Sequence, residues 1–252
     1  MKTGGDFIMN EQEKIKRLHD LIEQSGNIVF FGGAGVSTES DIPDFRSQNG
    51  IYSQKYKYPP EYMLSHTFYE THTQEFFDFY RNKMLFPDAK PNDAHIVLAQ
   101  LEKEGKLKAV ITQNIDGLHQ AAGSQSVLEL HGSVHRNYCT GCAKFHPLAF
   151  IMESKGIPRC DCGEIVKPDV VLYEEGLDYT TMENANKFIR EADMLIVGGT
   201  SLVVYPAAGL IRSFHGKNLV LINKGETAWD DKAQLVIAGK IGETLRKAWP
   251  AN

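Results

Sequence analysis

Short apolar blocks that stop abruptly at polar residues or glycine constrain this chain more than any other feature. Ile28-Val29-Phe30-Phe31 is bounded by Asn27 and Gly32 and reads as a strand covered on both faces. Comparable blocks recur at Ala109-Val110-Ile111, Val127-Leu128, Val170-Val171-Leu172, Met194-Leu195-Ile196-Val197, Leu219-Val220-Leu221-Ile222 and Leu235-Val236-Ile237. Between several of them the apolar spacing turns helical. Ile15, Leu18, Leu21 and Ile22 share one helical face, stopped by Ser25-Gly26. A second helix is framed by Asn92 as its N-cap, behind Pro91, and by Gly105 as its stop. Strands alternating with helices predict an α/β fold: a doubly wound, Rossmann-like parallel sheet with helices on both faces.

The turn after the first strand is rich in glycine. In Gly32-Gly33-Ala34-Gly35-Val36-Ser37-Thr38 the backbone can approach a pyrophosphate closely and offer it N–H groups, which favours a dinucleotide. A dehydrogenase would place glycine where Thr38 stands and an acid about 20 residues beyond the turn; Asp41 and Asp44 come too early for that. Polar residues follow the later blocks as well. Gln113, Asn114, Asp116, Thr200, Ser201 and Asn223 are expected to converge at the carboxyl ends of the strands, where such sheets bind ligands; the competing reading is that each merely closes its own turn. His131 lies between a strand-like Val127 to Leu130 and Gly132, at the edge of that crevice, with an imidazole able to take up a proton near neutral pH. Of the other histidines, His19 is expected to be solvated, and His95 and His119 to fill helix or turn positions.

Two stretches break the alternation. Residues 51–90 are aromatic-rich and helix-like, and residues 135–168 hold all four cysteines. They predict a smaller zinc-binding and helical module inserted in a discontinuous dinucleotide-binding domain of residues 10–50, 91–134 and 169–252. Cys139 and Cys142 are separated by two residues, Cys160 and Cys162 by one. Four thiolates form a closed tetrahedral site for a structural Zn²⁺, with no position left for catalysis. The single residue inside the second pair is unusual, with Gly163 easing the bend; His135 and His146 flank the first pair as substitute ligands.

No apolar run approaches the roughly 20 residues that cross a bilayer, and Met1 to Asn10 lack the apolar core of a secretory signal. The expectation is a cytoplasmic protein, with its first ten or so residues frayed. A net charge of −5 argues against a broad duplex-binding face. The cysteine-bearing stretch adds only Arg136, Lys144, Lys155, Arg159 and Lys167, so direct nucleic-acid binding is not expected.

The motifs also come in a distinctive order: Gly33-Ala34-Gly35-Val36-Ser37, Ile42-Pro43-Asp44-Phe45-Arg46, Thr112-Gln113-Asn114-Ile115-Asp116, Leu130-His131-Gly132, the paired cysteines, Lys167-Pro168-Asp169-Val170-Val171 and Gly199-Thr200-Ser201-Leu202. This series resembles that of the sirtuins from about residue 12 to about residue 247. The resemblance implies an NAD-dependent protein-lysine deacetylase or deacylase. Such an enzyme transfers the acyl group to ADP-ribose, releases nicotinamide, and takes an acylated-lysine protein or peptide as its partner.

Roles follow by the same resemblance. His131 would be the general base, with Asn114 orienting ribose and water. Ala34, Thr38 and Arg46 would hold the phosphates and nearby ribose; Gln113 and Thr200 would line the same site. Ser201 and Asn223 would hold the adenosine half, and Ile241 the adenine side. Ile115 and Asp116 would seat the nicotinamide amide, and Phe45 would cover the nicotinamide. Val170 and Val171, with Phe45 and His131, would line the acyl-lysine tunnel, into which a peptide delivers its lysine while pairing as a strand. Leu172-Tyr173-Glu174-Glu175 stands where many sirtuins have Phe-Gly-Glu. Removers of acidic acyl groups carry Tyr-x-x-Arg where Phe77 and Tyr80 align, so acetyl and longer neutral chains are expected over succinyl; Arg81 is the adjacent cation that would change this.

Rival readings are a protein mono-ADP-ribosyltransferase, a dehydrogenase and a non-catalytic NAD or zinc interaction module. His131 and Asn114 together favour the deacylase. The chain is expected to be a monomer.

Overall fold

The computed structural model describes residues 9–250; the expected fraying at the start falls largely on residues 1–8, outside the described residues. Helices are α1 (Glu11–Gln24), α2 (Pro60–Met63), α3 (His66–Thr71), α4 (Thr73–Lys83), α5 (Asp93–Lys103), α6 (Leu118–Ala121), α7 (Leu148–Glu153), α8 (Tyr179–Glu191) and α9 (Ile241–Ala248). Strands are β1 (Ile28–Gly32), β2 (Leu107–Thr112), β3 (Val127–Glu129), β4 (Gly132–Cys139), β5 (Phe145–His146), β6 (Val166–Val170), β7 (Met194–Gly198), β8 (Asn218–Asn223) and β9 (Leu235–Ala238).

Six strands form one sheet in the order β3-β2-β1-β7-β8-β9, every pair parallel. Successive side chains of a strand point to opposite faces, and the core divides accordingly. Phe30, Val110, Ile196, Val220 and Ile237 pack with α1, α5 and α9 on one face. Val29, Phe31, Ile111, Val197 and Leu221 pack on the other with Ala185 and Ile189 of α8 and with a 3₁₀ segment, Ala207–Ser213. Local chemistry fixes the helix ends. The Asn10 side chain accepts from Glu13 N–H at 3.0 Å, and that of Asn92 from Ala94 N–H at 2.9 Å, caps each contributing about 1 kcal/mol.

The block at Val170 to Leu172 does not join this sheet. Residues Val166–Val170 pair antiparallel with β4, which also carries β5. An apolar run marks a buried strand but not its partner, and here the partner belongs to the inserted segment. The small sheet packs with α2, α3, α4 and α7 around Phe68, Phe76, Phe77 and Tyr80. Both crossings into this sheet lie together: His131 immediately precedes Gly132, and Val171 N–H donates to the His131 carbonyl at 3.0 Å. Gly132 has φ +77, and a Cβ there would lie 1.9 Å from the Asp169 carbonyl oxygen, so this joint requires glycine. Arg136 of β4 reaches Glu129 of β3 at 2.6 Å and Asp169 of β6 at 2.7 Å, clasping the two sheets.

Among the described residues, no helix is long and apolar enough to cross a membrane.

Candidate active site and metal centre

From β1 the chain steps to β2 and β3 on one side, then returns through β7 to the other. Such a reversal opens a crevice at the carboxyl ends of the strands. Two tight turns meet there. Gly35 N–H donates to the Gly199 carbonyl at 2.8 Å, and a Cβ on Gly35 would lie 2.7–2.9 Å from Gly199 backbone atoms. Residues Ala34–Ser40 continue as a 3₁₀ helix.

The crevice opens into a cavity of about 780 Å³ between the two bodies, within the range of roughly 300–1,000 Å³ usual for ligand sites. Every site residue expected from the sequence, apart from the cysteines, lines it: Ala34, Thr38, Phe45, Arg46, Gln113, Asn114, Ile115, Asp116, His131, Thr200, Ser201, Asn223 and Ile241. Val170 and Val171 line it too.

Its hydrogen bonds orient these groups. His131 Nδ1 lies 3.0 Å from the Gln113 carbonyl. A carbonyl only accepts, so in the neutral ring Nδ1 carries the proton and Nε2 keeps its lone pair. Burial pushes the imidazole below its ordinary pKa, against the opposing pull of that carbonyl. Ser37 Oγ donates to Asp116 Oδ2 at 2.6 Å and accepts from Asn114 Nδ2 at 3.0 Å. Asp116 Oδ1 accepts from Leu118 N–H at 2.9 Å. Burial raises the Asp116 carboxyl, and these donors counter it. Thr200 Oγ1 accepts from Gln113 Nε2 at 3.1 Å, and Asn223 Oδ1 from Thr200 N–H at 2.9 Å. Asn223 Nδ2 is buried with no partner, a donor available to a ligand. That free amide and the glycine cradle, which a Cβ would fill, fit a dinucleotide.

Ser37 stands in the glycine-turn motif without a role that its sequence position reveals. It is 1% exposed and joins Asn114 to Asp116, a link invisible in sequence because the partners are 77 and 79 residues away. Tyr52, whose phenol burial pushes up, bonds Tyr173 at 2.8 Å across the mouth; neither was given a role beforehand. His95 and His119 are almost wholly buried core residues, and burial drives them down to about 4 and about 3. Neither lines the cavity. His19 is exposed, as expected, with Nδ1 at 2.9 Å from the Ala248 carbonyl.

The sulfurs of Cys139, Cys142, Cys160 and Cys162 lie within 4.8 Å of one another. Two of their separations are 3.3 and 3.7 Å, close to the roughly 3.8 Å edge of a tetrahedron with Zn–S of about 2.3 Å. Four soft donors in this array fit zinc, and the one-residue spacing closes the set. The histidines lie outside it: His135 Nε2 contacts the Asp116 carbonyl at 3.0 Å, and His146 is buried against Phe150.

The Sir2 family model matches residues 33–206. The chain belongs to the Sir2 family. A protein of Clostridium acetobutylicum named NAD-dependent protein deacetylase is 63% identical, over 92% of this chain and 97% of that one. A solved Sir2 with a p53 peptide and NAD⁺ has TM-score 0.81 and 42% identity, covering 93% of this chain and 96% of its own. Another, with a deacetylated p53 peptide and 3′-O-acetyl ADP ribose, has TM-score 0.85 and 43% identity at the same coverage.

Proposed function

We propose that this Sir2-family chain is an NAD-dependent protein-lysine deacetylase or deacylase that transfers the acyl group to ADP-ribose and releases nicotinamide. The observation that carries the reading is the tautomer of His131: Nδ1 is committed to the Gln113 carbonyl, leaving Nε2 as a proton acceptor on the dinucleotide cavity. NAD, when bound, supplies a ribose carbon that becomes electrophilic as its nicotinamide leaves.

The residues supply the rest. His131 Nε2 takes a ribose hydroxyl proton. Asn114, whose Nδ2 is held by Ser37, would orient ribose and water through its amide oxygen. Asp116 and Ile115 seat the nicotinamide amide; Phe45 covers it and keeps water away. Ala34, Thr38 and Arg46 would hold the phosphates and nearby ribose, with Gln113 and Thr200 lining the same site. Ser201 and Asn223 hold the adenosine half and Ile241 the adenine. The orphaned Asn223 Nδ2 supports this arrangement. Cys139, Cys142, Cys160 and Cys162 would hold Zn²⁺, which supplies folding energy to the small sheet and no chemistry.

The acyl-lysine would enter beside Val170 and Val171. Arg81 is turned from the cavity, with Nε on the Ile151 carbonyl at 2.9 Å, a second bond to the Gly156 carbonyl, and the Phe77 ring beside it. Tyr80 lines the cavity instead, which supports neutral acyl groups over succinyl. The same reading assigns residues 10–50, 91–134 and 169–252 to the NAD-binding body and 51–90 and 135–168 to the peptide-side module; separate cores support two bodies, although Val134, Val170 and Leu172 pack with the module, so its edges run a few residues further each way. A monomer in the cytoplasm, without direct nucleic-acid binding, completes it; the net charge of −5 supports the last point.

The test is an acetyl-lysine peptide incubated with and without NAD, following nicotinamide and peptide mass. Loss of the acetyl mass only with NAD is expected, and His131→Ala should slow it about 10²–10⁴-fold while NAD still binds. A mass gain on an acceptor protein would favour ADP-ribosyl transfer instead.

A further inference from the structure

Residues 44–52 form a stiff turn. Ile51 N–H donates to the Asp44 carbonyl and Tyr52 N–H to the Phe45 carbonyl, both at 2.8 Å. Asp44 Oδ1 accepts from Arg46 N–H at 3.1 Å and Ser47 N–H at 2.8 Å. Ile51, 2% exposed, packs the turn into the aromatic cluster of the small body. The Tyr52 ring lies 5.3 Å from that of Phe45, and the Arg46 guanidinium sits 5.3 Å from its centroid. Its hydroxyl reaches that of Tyr173 at 2.8 Å, the only side-chain hydrogen bond, among the described residues, from residues 42–53 to one outside them.

Tyr173 is itself anchored. Its N–H donates to the Leu64 carbonyl, and its carbonyl accepts from His66 N–H, each at 3.0 Å. Two residues earlier, Val171 N–H holds the His131 carbonyl. One short segment therefore grips the general base at one end and the turn bearing Phe45 and Arg46 at the other.

We propose that the hydroxyl pair of Tyr52 and Tyr173 straps the Phe45 and Arg46 turn to the peptide-side wall, making both tyrosines positioning residues for the dinucleotide. This rests on the NAD-dependent reading of the same cavity. Tyr173 lines the cavity on the wall opposite the turn, so removing its hydroxyl tests the strap from the side that carries neither Phe45 nor Arg46.

The test compares Tyr52→Phe, Tyr173→Phe and the double variant. Each single change should raise the KM for NAD about three- to tenfold, the scale of one lost hydrogen bond, with kcat changed less and the peptide KM within about twofold. The double variant should be no worse than either single, since both remove one bond. Effects that multiply, a Tyr173→Phe change confined to the peptide KM, or an unaltered NAD KM in both singles would each overturn the strap. If Tyr52→Phe loses enough thermal stability to blur its kinetics, Tyr173→Phe carries the same readout from a ring 37% exposed. A wild-type protein without NAD-dependent deacetylation sinks the functional reading; an active wild type with unchanged NAD KM in the variants sinks only the strap.

Discussion

The two bodies on either side of the cavity bury their cores by different means. The six-stranded sheet covers both faces mainly with aliphatic side chains from its strands and flanking helices. The three-stranded sheet relies on a cluster of aromatic rings, and its far end has four thiols where a core would be. A strand covered on both faces needs nothing but neighbours; a two-residue strand such as β5 cannot close its own end. The large body should therefore tolerate loss of metal, and the small one should not.

The strongest way to break this contrast is Cys160→Ser or removal of zinc by a chelator. Structural zinc contributes on the order of 10–16 kcal/mol in small domains, so the small sheet should melt first. Thermal unfolding should then split into two steps, with deacetylation falling more than about a hundredfold while NAD binding changes only a few-fold. A stripped protein that keeps its activity and a single transition would show the thiols to be ornamental.

Gly35→Ala probes the other body. The added Cβ meets Gly199 backbone at 2.7–2.9 Å, so the two turns must part, at about 1–3 kcal/mol. NAD affinity should drop roughly tenfold, with the metal retained in full. Unchanged NAD affinity would show that the paired turns do not shape the phosphate cradle.

The smallest effect concerns pH. Burial disfavours the imidazolium of His131, and the neutral ring is the working form. The rate therefore rises with pH through a pKa below 6.5 and is level above it. In kcat/KM against pH the acid limb should lie below 6.5; a limb above that value would mean that His131 is not buried as described, or is not the base.

Much of this was legible in the sequence, for identifiable reasons. The β1 block and the caps at Asn10 and Asn92 are local, so pattern alone placed the strand and the Asn92 cap. The residues expected at the crevice share one cavity because parallel strands deliver their carboxyl ends to one edge. What escaped depended on remote partners. Val170 to Leu172 looks like any other apolar block, and only its antiparallel neighbour assigns β6 to the small sheet. Ser37 and Tyr52 gain meaning from groups 79 and 121 residues away. His95 and His119 resemble ordinary helix polar positions until packing shows them nearly excluded from water.

The joint at Gly132 has one more consequence. Both crossings of the inserted sheet meet beside His131, one through the peptide bond to Gly132 and one through the Val171 amide. If that sheet rocks as substrates enter and products leave, the pivot runs past the imidazole, as a door moves least along its hinged edge. The cleft can then change width while the proton acceptor stays in register with Gln113.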